Sequence, residues 1–280
     1  MKISNNFIIE KKKNIVKKFL DNGRYNREIY FYRKYKSNNL NIPKIISVKK
    51  DKIIFKKYNF KKINSQKFFL EEFLKFLIKT NKVKKYKFFS KEDLKSYKNL
   101  QFQVLSRYRK LLRVKIKKKY LYKFNKIKSY ISKILNEKPN NTKLQKMKRI
   151  VSQSDIGFHN CSISNRKLYF YDFEYAGLEH PIKMVCNIYY QPEKKMNKKY
   201  ILEFIKNLQK YYKFTIPDNF IFFEKLYKVK MMLTILSIFL NTSDNFKSKV
   251  TSKRNFDKLQ LDRLNKAYRY ITIPYLYENN

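Results

Sequence analysis

The sequence has no tryptophan, two cysteines, two histidines and three glycines, and only 21 acidic residues stand against 67 basic ones. Each shortage narrows the field. Cys161 and Cys186 are too few for a disulfide framework and have no metal-ligand spacing, so they fit a reducing cytoplasm. No apolar run is long enough to cross a bilayer; the longest, residues 231–240, is broken by Thr and Ser and predicts a buried helix. Residues 1–20 lack the apolar core of a secretion signal.

The acid deficit leaves a formal net charge of +46. Such a charge invites a nucleic-acid reading, because clustered Lys and Arg neutralise phosphates and release counterions. Two observations weigh against it. The lysines run along the whole chain instead of forming one stripe or tail, which describes a solvated surface. Lys, Asn, Ile, Tyr and Phe abound while Ala, Gly, Pro and Trp are scarce, the bias an A+T-rich genome gives to almost any protein. No specific nucleic-acid partner is expected. The charge should draw anionic small molecules toward a cleft, with at most a loose attraction to anionic membranes or RNA. Hydrophobic residues at 43% and aromatics at 17% are enough for a proper core.

The scarce residue types gather in one place. Residues 151–181, VSQSDIGFHNCSISNRKLYFYDFEYAGLEHP, hold two of the three glycines, both histidines and the acids Asp155, Asp172, Glu174 and Glu179. Ile150 and Val151 read as a short buried strand. Residues 152–161 form a polar loop around Gly157, and 161–164 with 168–171 suggest a hairpin across Asn165-Arg166-Lys167. The second strand runs straight into Asp172, and a carboxylate at a strand's tip facing another on a nearby loop can hold a divalent cation such as Mg²⁺. Asp155 and Asn160 stand five apart, the D-x-x-x-x-N spacing of kinase catalytic loops. Singly these residues would read as turn formers; their spacing and flanking strands favour chemistry.

On those motifs, SDIGFHN followed by YFYDFEYAG, the chain resembles the aminoglycoside phosphotransferase/choline kinase family, and especially members from polysaccharide gene clusters. His180-Pro181 and Gln191-Pro192 match further family positions. The resemblance implies an α+β, protein-kinase-like two-lobe fold. Residues 1–60 would form an abbreviated β-rich nucleotide lobe. Residues 61–280 would form a helical lobe carrying a catalytic loop at 152–161 and a metal segment at 168–177. It implies Asp155 as catalytic base, Asn160 and Asp172 as Mg²⁺ ligands, and ATP as phosphate donor. It also implies a lysine on the second strand to steady the phosphates, paired with Glu28 on the first helix. Lys17 and Lys18 compete for that role; Lys17 is favoured because its strand face also carries Ile15. The sequence departs from the family in three places. Gln153, followed by Ser154, stands two before the catalytic Asp, where the family usually has His or a Ser-Pro-Ser-like run. Asn187 stands where an acid usually braces the catalytic loop. Ser4-Asn5-Asn6 is a glycine-free remnant of the loop that usually covers the phosphates.

The remaining pattern fits this reading. Strands are expected at 7–10, 14–20, 42–48 and 52–58, with a turn at Asn22-Gly23, a helix over 25–36 and a connector between lobes at 55–58. Helices follow over 65–79, from a capping sequence at Ser90, and over 105–119, 120–136, 182–190, 199–212, 219–240 and 256–271. Loops are expected at 137–142 and 242–253. The function implied is transfer of a phosphoryl group from ATP to a hydroxyl of a sugar, amino alcohol or related metabolite in the cytoplasm. The rival readings are a catalytically impaired kinase-like binding module and, behind it, a nucleic-acid-binding protein.

Overall fold

The computed structural model describes residues 6–10, 13–35, 39–82, 86–89, 97–137, 149–240 and 253–277. The expected loop remnant at Ser4-Asn5, the helix start at 90–93, the loop 138–142 and the break 242–252 lie outside the described residues. The chain divides into two compact units, one made of residues 1–93 with 147–215, the other of 94–146 with 216–280.

The first unit opens with an antiparallel four-stranded sheet in the order β1-β2-β4-β3, formed by Asn6–Glu10, Asn14–Phe19, Lys52–Lys56 and Ile45–Lys49. Strand alternation puts Lys17 and Phe19 of β2 on the buried face and leaves Lys18 on the other, beside the half-buried Asp51. Helix α1, Asn22–Lys34, starts three residues before the expected boundary. Asp21 is the reason: its carboxylate accepts from the backbone N–H groups of Gly23 at 2.7 Å and Arg24 at 3.1 Å, so the Asn22-Gly23 turn signal becomes the helix's first turn. Ser65 caps helix α2, Gln66–Asn81, in the same way.

The core of this unit is aromatic. Phe31 of α1 stacks on Phe173 with ring centroids 3.9 Å apart and planes 7° from parallel. Phe76 of α2 lies 6.3 Å from Phe31 and 4.5 Å from Phe170, while Phe73 extends the cluster to Phe204 at 5.9 Å. Rings this large bury much apolar area, and their stacking sets how α1 and α2 approach the segment that follows Phe170.

Two short strand pairs carry that segment. Ile150–Ser152 is β5, and it pairs with β8, Gly177–Glu179, a strand too short to read from sequence. Cys161–Ser164 (β6) and Lys167–Phe170 (β7) form the expected hairpin; its two turn residues, Asn165 and Arg166, have φ of 49° and 60°, the left-handed turn that matches strand twist. Lys61 and Ile163 exchange backbone hydrogen bonds at 2.8 and 2.9 Å, tying the chain after β4 to the hairpin. Helix α5, Pro181–Tyr189, begins with proline behind a His180 cap and is buried along its whole length; α6, Lys198–Tyr212, packs on α2.

The second unit contains helices α3 (Tyr97–Leu112), α4 (Leu121–Asn136), α7 (Phe220–Ile235) and α8 (Lys253–Arg269), with 3₁₀ turns at Lys118–Tyr120, Leu236–Phe239 and Tyr270–Thr272. The helix expected over 105–119 ends at Leu112. Its buried stripe, Tyr97, Leu100, Val104, Tyr108 and Leu111, would continue at Lys115, where the apolar face runs out. No helix among the described residues is long and apolar enough to cross a membrane. Both cysteines are buried, and neither forms a disulfide among the described residues.

Candidate active site

The site is built around Lys17. Its ammonium lies 2.5 Å from Glu28 Oε2, 2.6 Å from Asp172 Oδ1 and 3.4 Å from Glu174 Oε2. Glu28 arrives from α1, and Asp172 and Glu174 from the segment after β7. Lys17 is 6% exposed and Glu28 1%. Burial disfavours the lysine's charge, but Glu28, Asp172 and Glu174 outweigh it and hold the ammonium above its ordinary range. Burial pushes the Glu28 carboxyl up to about 7, against the pull of Lys17. One cation thus serves three carboxylates. Their oxygens lie within 4.8 Å of one another, a set of hard donors suited to a divalent cation.

The loop bearing Asp155 is braced by neutral groups. The Asn160 side-chain amide donates to the Asp155 carbonyl at 2.8 Å, and the Asn187 amide donates to the Ser154 carbonyl at 2.9 Å. Gln153 donates to the carbonyls of Asn160 and Tyr171, while the Tyr171 N–H donates back to Asn160 at 3.1 Å. Gln153 therefore clamps the loop to the strand end that precedes Asp172. Beneath it, Ser152 accepts from the Ser154 N–H at 2.9 Å and bonds Glu179, which is paired with the fully buried Lys183. Gly157 is there for space: a β-carbon would come within 2.7 Å of the His159 ring and 2.8 Å of Gln191 Oε1. His159 stands between two carboxylates, 3.5 Å from Asp155 and 3.1 Å from Glu193.

Two non-glycine residues of the site adopt left-handed backbone, Ser154 with φ 63° and Asp172 with φ 68°. Asp tolerates this region better than most residues, and strained backbone of this kind collects at functional sites. Asp155 itself is exposed. Burial and Glu174 push the Tyr175 hydroxyl up to about 12, with Arg24 opposing and Asp155 and Asp172 adding to the rise.

No family model and no curated protein matches the sequence. Solved structures do match. A spectinomycin phosphotransferase in complex with ADP and spectinomycin aligns with a TM-score of 0.59 at 13% identity, over 96% of this chain and 91% of that one. A choline/ethanolamine kinase family protein from Mesorhizobium loti gives 0.57 at 11%, over 97% and 86%. A choline kinase from Streptococcus pneumoniae gives 0.56 at 14%, over 97% and 91%. The chain has the fold of these kinases.

Within this kinase-like fold, the five residues singled out from sequence fall into two groups. Lys17, Glu28 and Asp172 meet directly. Asp155 and Asn160 share the adjoining loop, joined to the strand before Asp172 through the Tyr171–Asn160 bond. Lys18 lies away from them, 3.7 Å from Asp51. The sequence reading missed three contributors. Glu174 was visible only as an acid two places after Asp172. Arg24, 3.3 Å from Glu174 and 4.9 Å over the Tyr175 ring, carried no signal, since Arg in a first turn has many uses, and Gln153 showed only as a departure from the family pattern.

Proposed function

We propose that the protein is an ATP-dependent small-molecule kinase that transfers the γ-phosphoryl group to a hydroxyl acceptor. The observation that carries this reading is the buried Lys17 ammonium held between Glu28 and Asp172. A fixed cation beside a carboxylate at a strand's tip has little structural rationale, and it suits phosphate oxygens and their metal. Asp155 orients the acceptor hydroxyl and takes its proton. Lys17, steadied by Glu28, binds the donor phosphates, within a nucleotide lobe formed by residues 1–60. Asn160 and Asp172 hold Mg²⁺, with Glu174 and Glu28 adjoining. When bound, the metal neutralises charge on the phosphates. Positioning and charge neutralisation supply most of the rate.

The acceptor belongs to the sugars, amino alcohols and related metabolites. This is in keeping with the choline kinase and spectinomycin phosphotransferase among the proteins of this fold. The motif resemblance points to cell-surface polysaccharide synthesis in the cytoplasm. The test is Mg·ATP turnover against a panel of such acceptors, wild type beside Asp155→Ala. Loss of kcat by at least about 10³-fold with ATP binding intact is expected for a general base whose removal also disturbs acceptor positioning. Turnover that survives the substitution refutes the assignment of Asp155. Absence of ATP binding at millimolar concentration refutes the kinase reading itself.

A further inference from the structure

On the flank of α1 turned away from Glu28 lies a groove of about 420 Å³, lined by Asn26, Arg27, Tyr30, Arg33, Lys87 and Phe88 among others. We propose that this groove binds a phosphate monoester with a ring-sized apolar body, at a site separate from the Lys17 cluster.

Positive charge alone would not mark a site in a chain of this composition. Arg27 does. It is only 9% exposed, and its Nε has no hydrogen-bond partner among the described residues. Among the described residues no carboxylate pairs with it; its Nη1 donates instead to the carbonyls of Phe89 at 2.6 Å and Ala176 at 3.1 Å, which hold the guanidinium in place. A guanidinium fixed by carbonyls, with its charge uncompensated, is prepared for an anion. Around it the groove combines aromatic faces with cations. The Arg27 guanidinium lies 4.8 Å over Phe88, and the Lys87 ammonium 4.6 Å from Tyr30 and 5.0 Å from Phe88. The exposed Arg33 stands on the same helix flank as Asn26 and Tyr30. Cations at the rim take a phosphate, and the ring faces take a flat apolar body beside it. The volume suits a small metabolite.

Occupancy of the groove would register at the active site. Arg27 ties α1, which carries Glu28, to the backbone two residues beyond Glu174. A ligand that engages Arg27 therefore loads the contact that sets the distance between these carboxylates, and such coupling is reciprocal.

The probe is phenyl phosphate, titrated calorimetrically into the full chain at physiological salt, with and without saturating Mg·ATP. One site is expected, retained in the presence of Mg·ATP. Affinity should fall at least tenfold in Arg33→Glu/Lys87→Glu, whose side chains are exposed, with circular dichroism as the fold check. It should be unchanged in the control Lys126→Glu/Lys133→Glu, and at least tenfold lower for phenol and for inorganic phosphate. Equal affinity in the groove variant, loss of binding on adding Mg·ATP, or equal binding of inorganic phosphate would each overturn the proposal, the last as an adventitious ion only. The groove variants are read by binding, so a failure to bind or turn over ATP would remove the kinase reading and leave this test standing.

Discussion

Removing the ammonium at the centre of the carboxylate trio is the sharpest test of how the site is held together. In Lys17→Met, Glu28, Asp172 and Glu174 lose the cation that lies 2.5, 2.6 and 3.4 Å from them. Breaking a buried ion pair by deleting one partner costs roughly 3–5 kcal/mol, because the remaining charge is left uncompensated. For a chain of this size each kcal/mol moves the unfolding midpoint by about 2–4 °C, so Tm should fall on the order of 10 °C at about pH 8.

The deficit should depend on pH, with a definite sign. Burial already places the Glu28 carboxyl near 7 in the folded protein, above its ordinary 4.5, and without Lys17 it rises further. A carboxyl raised on folding favours the protonated native state. Its penalty is absent below the unfolded value and grows as pH climbs toward the folded one. Lys17, raised above its ordinary value, stays charged throughout that window. Acidification to about pH 5.5 should therefore shrink the gap between variant and wild type to roughly half. Mg²⁺ should stabilise the variant more than the wild type, since it replaces the missing charge among the same oxygens. Thermal unfolding followed by circular dichroism, without nucleotide, reads all three effects. A deficit that is the same at both pH values would mean that Lys17 acts through packing of its methylenes, and the electrostatic account would be wrong.

Two further substitutions probe the supports of the site. Phe31→Ala removes a fully buried ring stacked on Phe173; a loss of about 3–5 kcal/mol is expected in urea unfolding, together with weaker Mg·ATP binding because Phe173 follows Asp172. Unchanged nucleotide binding in a folded Phe31→Ala protein would break the link between this core and the site. Glu179→Leu strands the 1%-exposed Lys183 and should cost a similar 3–5 kcal/mol, most of it recovered in Glu179→Leu/Lys183→Met. A double variant as unstable as the single one would show that packing around Glu179 matters more than its charge.

What the sequence made legible follows physical range. The hairpin β6–β7, helix α2 behind Ser65 and helix α5 behind Pro181 all lie near their expected bounds, since caps, turns and periodicity act within a few residues. Helix α1 was read short because Asn22-Gly23 looks like a turn until Asp21 is recognised as a cap. β8 was invisible: three residues cannot show alternation, and its partner β5 lies far away in sequence. In the site, Lys17 was preferred to Lys18 on strand alternation alone, a local rule. Glu174 and Arg24 could not be assigned roles, because theirs are set by contact between residues 150 positions apart.

The distribution of charge across the site makes its own argument. On the Lys17 side the polar contacts are ionic, and the count is unbalanced, three carboxylates against one ammonium with Arg24 at the edge. On the Asp155 side the supports are neutral amides, Gln153, Asn160 and Asn187, each donating to a backbone carbonyl. A carboxylate replacing Asn187 would face the Ser154 carbonyl with a like partial charge, so the amide is the chemically consistent brace there. The amides fix the path of the loop without themselves bringing charge to Asp155, whose side chain instead has the His159 imidazole at 3.5 Å, a group that could take up the proton the proposed base removes. The excess acid on the other side does the opposite work: it leaves negative charge that the proposed Mg²⁺ would offset. A loop held by neutral bonds beside a cluster short of positive charge is the division of labour that the proposed phosphoryl transfer from a metal-bound nucleotide would use.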